Sequence, residues 1–188
     1  SSPAAVVFKR KVLNRNMDVL RNLDHLYGTR ITTLFSTAQT LDQAVTESDL
    51  VIGSVLIPGA SAPKLITRDM IRRMPEGSVI VDVAIDQGGC AETSRATTHD
   101  DPTYIVDGVV HYCVANMPGA VARTSTLALN NVTLPFVAAL ANKGPDRAMK
   151  EDQHLRAGLN VAAGKVTYRE VAEATGHPYT NPESLLGS

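Results

Sequence analysis

The sequence lacks an excess of charge of either sign. Its 188 residues carry 18 Lys+Arg against 19 Asp+Glu, for a formal net charge of -1. Nucleic-acid binders and polybasic membrane binders collect a surplus of Lys and Arg on one face, so neither partner is expected. Cysteine is scarce too. Cys90 and Cys113 are too few for a disulfide framework and lack metal-ligand spacing, so a reducing cytoplasm and no metal are the expectation. The first seven residues have neither the charged region nor the apolar stretch of a secretory signal. Long apolar runs are also missing, with one exception. Thr124 to Asn142 is uncharged and nominally long enough to cross a bilayer, but it contains Asn130, Asn131 and Pro135. Amides at mid-membrane depth are unfavourable, so a buried helix of a soluble protein is expected there rather than a membrane segment.

With 44% apolar residues, this length suits one domain or one and a fraction. Short Val- and Ile-rich runs alternate with amphipathic stretches. Val6 to Phe8 leads through a basic patch to Val12-Leu13, a strand, and Met17, Leu20, Leu23, Leu26 and Tyr27 then recur at helical spacing up to a C-capping Gly28. Ile31 to Phe35 reads as a strand, Leu41 to Glu47 as a short helix and Asp49 to Gly53 as a strand. A helix begins at Thr67, followed by a turn at Pro75-Glu76-Gly77 and a strand from Ser78 to Val83. Gly108 to Val114 supplies another strand, and Thr124 to Ala141 a long helix that Pro135 is expected to kink. Strands apolar on both faces and separated by helices mark a parallel sheet covered on both sides. After Asn142 the sequence reads as helices and turns with no strand, and a boundary falls at about residues 130 to 145.

In an open parallel sheet, ligands bind beyond the carboxyl ends of the strands. Three loops lie there. Ser54 to Lys64 begins with Val55-Leu56, an apolar pair suited to sandwich a flat ring or to serve as an ordinary connection. Val81 to Cys90 places Asp86 just before Gly88-Gly89, where the backbone can approach a ligand closely. Asp82 reads as structurally hydrogen-bonded and Cys90 as a small buried filler. His111 to Gly119 offers Asn116 as donor and acceptor. Met117 suits either an apolar ring or the core, and His111 reads as a satisfied histidine within a strand.

The strings VIGSVLIPGASAPKLIT, VIVDVAIDQGGC and YCVANMPGAVARTSTLALNN, in this order, resemble the nucleotide-binding domain of NAD-dependent alanine dehydrogenases. The likeness runs from about Leu13 to the C-terminus. It implies reversible oxidative deamination of L-alanine to pyruvate and ammonia, with a nicotinamide cofactor. The related alpha subunit of proton-translocating transhydrogenase is the alternative, although its counterpart of Asp86-Gln87-Gly88-Gly89 usually differs. The resemblance implies cofactor contacts at Val55, Leu56 and Val83, and puts Asn14 and Ser36 at the adenosine end. Asp86 would be the catalytic carboxylate beside nicotinamide and substrate. Val114 and Met117 would line the same region, with Asn116 facing substrate. It also implies a homo-oligomer, a hexamer in the family, and C-terminal helices that pack on a substrate domain.

A Rossmann half opens with a strand, a glycine-rich turn and a helix. This chain has no glycine before Gly28, and 13 residues precede Asn14, where the family carries an acidic ribose ligand. The first strand, glycine loop and first helix cannot all fit there, and the family's substrate domain, with its catalytic lysine and histidine, has no counterpart. The expectation is an α/β, Rossmann-like parallel sheet with helices on both faces, incomplete at its first strand: residues 1–135 a partial NAD(P)-binding domain, 136–188 C-terminal helices. Ala4 to Phe8 could rearrange to fill the gap, another polypeptide such as an N-terminal half could complete it, or the chain could be a fragment. A non-catalytic nucleotide-binding or oligomer-forming module also stays open. Asn14 in place of the acid, near Arg10, Lys11 and Arg15, points to relaxed discrimination between NAD and NADP.

Overall fold

The computed structural model describes residues 9–55 and 62–186. The segment from Ala4 to Phe8 and the candidate residue Leu56 lie outside the described residues. The chain begins with β1 (Lys11–Asn14), and α1 (Met17–Tyr27) follows. Asn16 caps α1, its side chain accepting from the Asp18 and Val19 amides at 2.9 and 3.3 Å. Gly28 ends the helix at φ 50° and donates to the Asp24 carbonyl. β2 (Thr32–Phe35) then pairs parallel to β1, Asn14 opposite Phe35.

Next comes α2 (Ala38–Thr46), which starts three residues before the sequence pattern predicts. The apolar periodicity begins at Leu41, but Thr37 and Thr40 form a capping box that lets the helix start earlier. β3 (Leu50–Gly53), α3 (Arg68–Arg72) and β4 (Val79–Asp82) lead to a hairpin of β5 (Thr103–Val106) and β6 (Val109–Tyr112). The strands β3, β4 and β6 are mutually parallel, and β5 is added antiparallel at the edge. Patterning missed β5. Its signal is the Asp107-Gly108 pair, whose positive φ values of 49° and 79° close a two-residue turn.

These six strands form two sheets rather than one. β2-β1 stands apart from β3-β4-β6-β5, and no described strand lies between β1 and β3. In the order 3-2-1-4-5-6, β2 and β1 take positions 3 and 2, and β3, β4 and β6 take positions 4, 5 and 6. The break therefore falls at the central first strand, the element the sequence reading leaves without residues. The two parts are joined by α2, whose Val45 enters the core beside Ile66, Ile71, Met74, Ile80 and Val109. Lys11 of β1 also pairs with Glu47 at the end of α2 at 2.8 Å.

Core packing is one-sided. Gly53, Ile80, Asp82, Val109 and His111 are buried on the face toward α2 and α3, whereas Leu50 and Ile52 on the other face are 55% and 62% exposed. The long α4 (Ala122–Lys143) is continuous through Pro135 and across residues 135–136, and it buries no residue against the described chain. That corrects the expectation of a buried helix: Leu127, Leu129, Val132, Leu134 and Val137 are all exposed. With its preceding turn it spans Met117–Lys143, long and apolar enough to cross a membrane by length and composition, with Arg123 and the Asn130-Asn131 pair within that stretch. A sequence pattern reports that a surface wants covering, but not which polypeptide covers it. Beyond it lie α5 (Pro145–Glu151), α6 (Gln153–Ala157), the small hairpin β7 (Val161–Ala162) with β8 (Lys165–Val166), and α7 (Arg169–Thr175). That hairpin corrects the reading of no strand after Asn142. Its Ala163-Gly164 turn has two positive φ angles, and strands of two residues are too short to show alternation.

Candidate functional site at the carboxyl edge

The chemistry-bearing loops all leave the carboxyl ends of parallel strands. At the end of β4 stands Asp82, fully buried. Its Oδ1 accepts from the Ala84 amide at 3.1 Å, while Oδ2 accepts from the Cys90 and Ala91 amides at 2.8 and 3.3 Å and from Ser94 Oγ at 2.5 Å. An uncompensated buried carboxylate would be strongly destabilising, and here the loop wraps its own donors around it. The expectation of a structurally bonded Asp82 therefore holds.

The wrapped segment is a short 3₁₀ turn, Val83–Gln87. Side chains three apart in such a turn share a face. Val83 and Asp86 accordingly emerge together into solvent while Ala84 and Ile85 are buried. Gly88 and Gly89 continue at φ 92° and 78°. A Cβ on Gly89 would stand 2.7 Å from Ser94 Cβ and 2.8 Å from Asp82 Oδ2, so this glycine is required by space as well as by torsion. Lys64 secures the turn from outside, its Nζ donating to the Gly88 and Ala91 carbonyls.

Cys90 lies beneath, 2% exposed, and burial together with the neighbouring Asp82 carboxylate pushes its thiol up to about 12. It packs as the filler the sequence suggests and is no nucleophile at neutral pH. His111 is likewise enclosed. Its Nδ1 lies 2.9 Å from the Val109 carbonyl, which accepts, so Nδ1 carries a proton, and Nε2 meets Thr93 Oγ1 at 2.7 Å. The ring stacks on Tyr104 and burial lowers its pKa, which makes it the satisfied core histidine of the sequence reading.

The adjacent strand, β6, ends at Tyr112 and its loop leads to Asn116, an exposed residue in the left-handed region at φ 59° and ψ 49°. Met117, half-buried, opens the next 3₁₀ turn. Val114 is completely buried, backbone included, so it packs behind the edge and does not line its surface as the resemblance implies. Because Val81 pairs with Tyr112, the loops bearing Asp86 and Asn116 leave neighbouring strands at the same edge. Val55 sits half-buried just after β3, the strand on the other side of β4. In the smaller sheet, Asn14 and Ser36 end the two strands, the Ser36 amide donating to the Asn14 carbonyl at 3.0 Å. Every described candidate thus lies on a carboxyl edge, in two groups: Val55, Val83, Asp86, Val114, Asn116 and Met117 on one sheet, Asn14 and Ser36 on the other.

Sequence reasoning missed Lys64, Ser94, Thr97 and His99, which support the loops. Each is a common polar residue in a stretch without periodicity, and only the folded geometry gives it a partner. Among the described residues no group of three or more His, Cys, Asp or Glu is arranged to hold a metal ion.

A dinucleotide fits this edge unequally. At the reactive end, an exposed carboxylate, an amide, apolar Val55, Val83 and Met117, and the close-approach backbone at Gly88-Gly89 match a nicotinamide and a small polar substrate. For the pyrophosphate, no described helix N-terminus follows a strand between β1 and β3.

Comparison with known proteins agrees with this geometry. Residues 5–169 match the family model described as alanine dehydrogenase/PNT, C-terminal domain. Over 176 residues the chain is 65% identical to the alanine dehydrogenase of Halomonas elongata, covering 94% of this chain and 47% of that protein. It is 57% identical to that of Staphylococcus haemolyticus, with 93% and 47% coverage. A solved L-alanine dehydrogenase superposes with a TM-score of 0.78 at 47% identity, over 89% of this chain and 46% of the other. The transhydrogenase from Sinorhizobium meliloti, at 24% identity, TM-score 0.67, and 84% and 45% coverage, shares the fold. The chain spans about half the length of the curated relatives it matches. A family model matched over most of the chain, on a fold whose carboxyl edge gathers the expected residues, leads to one conclusion: the chain belongs to the alanine dehydrogenase/PNT, C-terminal domain family.

Proposed function

We propose that this chain is the cofactor-binding portion of an NAD-dependent alanine dehydrogenase that converts L-alanine, water and NAD⁺ to pyruvate, ammonium, NADH and a proton. The observation that carries the reading is the pairing of β4 with β6, which brings the exposed Asp86 and Asn116 loops side by side on a rigid support. A nicotinamide cofactor held at this edge would supply the hydride acceptor that alanine oxidation needs. Asp86 holds the attacking water or departing ammonia and takes up its proton. Asn116 orients the substrate through its amide, and Val55, Val83 and Met117 flank the nicotinamide, with Leu56 assigned to the same wall by resemblance. Val114, fully buried, supports this wall from behind. Asn14 and Ser36 take the adenosine ribose.

The partner in this reading is an N-terminal half carrying the substrate domain, within a homo-oligomer, hexameric as in the family, and the compartment is the cytoplasm. The exposed faces of α4 and of Leu50 and Ile52 are the surfaces such a partner would cover. The test is co-expression of the chain with the N-terminal half of the Halomonas elongata relative. Alanine-dependent NADH formation is expected from the pair and not from the chain alone. Asp86→Ala should lower kcat by at least about 100-fold, the low end for losing a general acid-base group, while NADH affinity stays within about threefold. Equal losses in both would contradict the role of Asp86.

Cofactor preference is proposed to be relaxed between NAD and NADP. A neutral Asn14 does not repel a 2′-phosphate, and Arg10 and Arg15 are exposed nearby, although Lys11 is engaged with Glu47. Competitive titration of the pair should give an NADH preference below about 100-fold, or roughly 2.7 kcal/mol, and a larger preference sinks the idea. A second reading, a non-catalytic nucleotide-binding or oligomer-forming module, is favoured by the break between β1 and β3. It predicts NADH binding by the pair with no alanine oxidation.

A further inference from the structure

Asn116 is one of three described residues other than glycine with positive φ. A side-chain-bearing residue stays in that region only when its surroundings hold it there. Two donors converge on its carbonyl. One is the Gly119 amide at 2.9 Å, which belongs to the local turn. The other is His99 Nε2 at 3.0 Å, from a segment 17 residues earlier in the chain. That segment is brought alongside by a parallel bridge between Thr97 and Val114: the Thr97 amide donates to the Cys113 carbonyl at 2.9 Å, and the Ala115 amide to the Thr97 carbonyl at 3.1 Å. Thr97 Oγ1 donates in turn to the Pro102 carbonyl at 3.0 Å and braces the loop. Gly119 completes the arrangement, because a Cβ there would stand 3.2 Å from both His99 Nε2 and Asn116 Nδ2. The Asn116 carbonyl can only accept, so Nε2 of His99 bears the proton.

We propose that His99 is a positioning residue that acts through Asn116: it locks the left-handed turn in the loop after β6 and so fixes where the Asn116 side-chain amide meets the substrate. The assignment of that amide to substrate rests on the function proposed above; the lock itself does not. The geometry is the signature of a latch between loops. The donor is remote in sequence, exposed, aimed at a carbonyl that already has a local partner, and delivered by its own pair of backbone hydrogen bonds.

Two variants test it. His99→Leu removes the donor while keeping bulk, and His99→Gln returns an N–H donor. In the full 188-residue chain, backbone chemical shifts and the amide-to-Hα coupling of Asn116, measured by NMR, should leave their left-handed values in His99→Leu and return in His99→Gln. Shifts outside residues 95–121 should stay put. An unchanged Asn116 signature in His99→Leu overturns the lock, and so does a change spread over the whole chain. In the assembly with the Halomonas half, His99→Leu should raise KM for alanine about tenfold, the effect of one lost hydrogen bond. His99→Gln should recover most of that, and NADH affinity should not move. If Asn116→Ala impairs alanine turnover and His99→Leu does not, positioning by His99 is wrong. If the turn moves in His99→Leu but neither variant alters alanine kinetics, the substrate role of Asn116 fails while the lock stands.

Discussion

Gly53 and Cys90 compete for one volume. A Cβ at Gly53 would stand 2.1 Å from Cys90 Sγ but 3.8 Å from Cys90 Cβ, so the sulfur alone forbids a larger residue. Gly53→Ala should therefore destabilise the chain by about 1–3 kcal/mol through overpacking, and adding Cys90→Ala should recover part of the loss. A double-mutant cycle in urea reads this directly, and simple additivity of the two changes would refute the shared volume. The same contact explains why the site was only partly legible at the residue scale. Asp86 and Asn116 announce themselves as polar residues at strand ends beside glycines. The residues that hold them, Lys64, Ser94 and His99, meet their partners across 24, 12 and 17 positions of sequence, and no local pattern encodes such a meeting.

Among the elements, the β5-β6 hairpin carries its own pH dependence. His111 is kept below its ordinary pKa by burial, against the Val109 carbonyl and the Asp82 and Asp107 charges, which favour the cation. A histidine depressed in the folded state contributes stability that is present above its unfolded pKa of about 6.5 and is lost as pH falls through its folded value. The melting temperature should accordingly decline as pH falls below about 6.5, above the range where the ion-paired carboxylates Asp42, Glu47 and Asp107 begin to protonate. His111→Gln should flatten that decline, and an identical slope in the variant would assign it elsewhere. Patterning found β6 here because Val109 and Val110 are apolar. It missed β5 because Thr103-Tyr104-Ile105-Val106 alternates between half-buried and exposed positions, with its one large aliphatic, Ile105, 70% exposed. The extra early turn of α2 was visible only in its caps, and α4 was read correctly as a helix while its covering was not.

For the whole molecule, the succession of parallel units and the place of the break are legible in the sequence. The helical and β periods identify the units of a doubly wound sheet, and among the described residues no strand takes the central first position. What could not be read was the result: β1-β2 and β3-β4-β6-β5 remain separate among the described residues, bridged through α2. Leu50, Ile52 and α4 are left exposed together.

That break also constrains how the chain can associate with itself. Among the described residues β1 pairs only with β2 and β3 only with β4, so each has one edge with a row of backbone donors and acceptors and no described partner strand. Two copies related by a two-fold axis would join β3 to β3 antiparallel, a pairing that cannot reproduce the parallel ladder each edge is shaped to receive. Self-association through these edges is thus a dead end, competing with completion by a parallel strand and favoured as concentration rises. At high concentration an uncompleted β3 edge becomes a hazard in its own right.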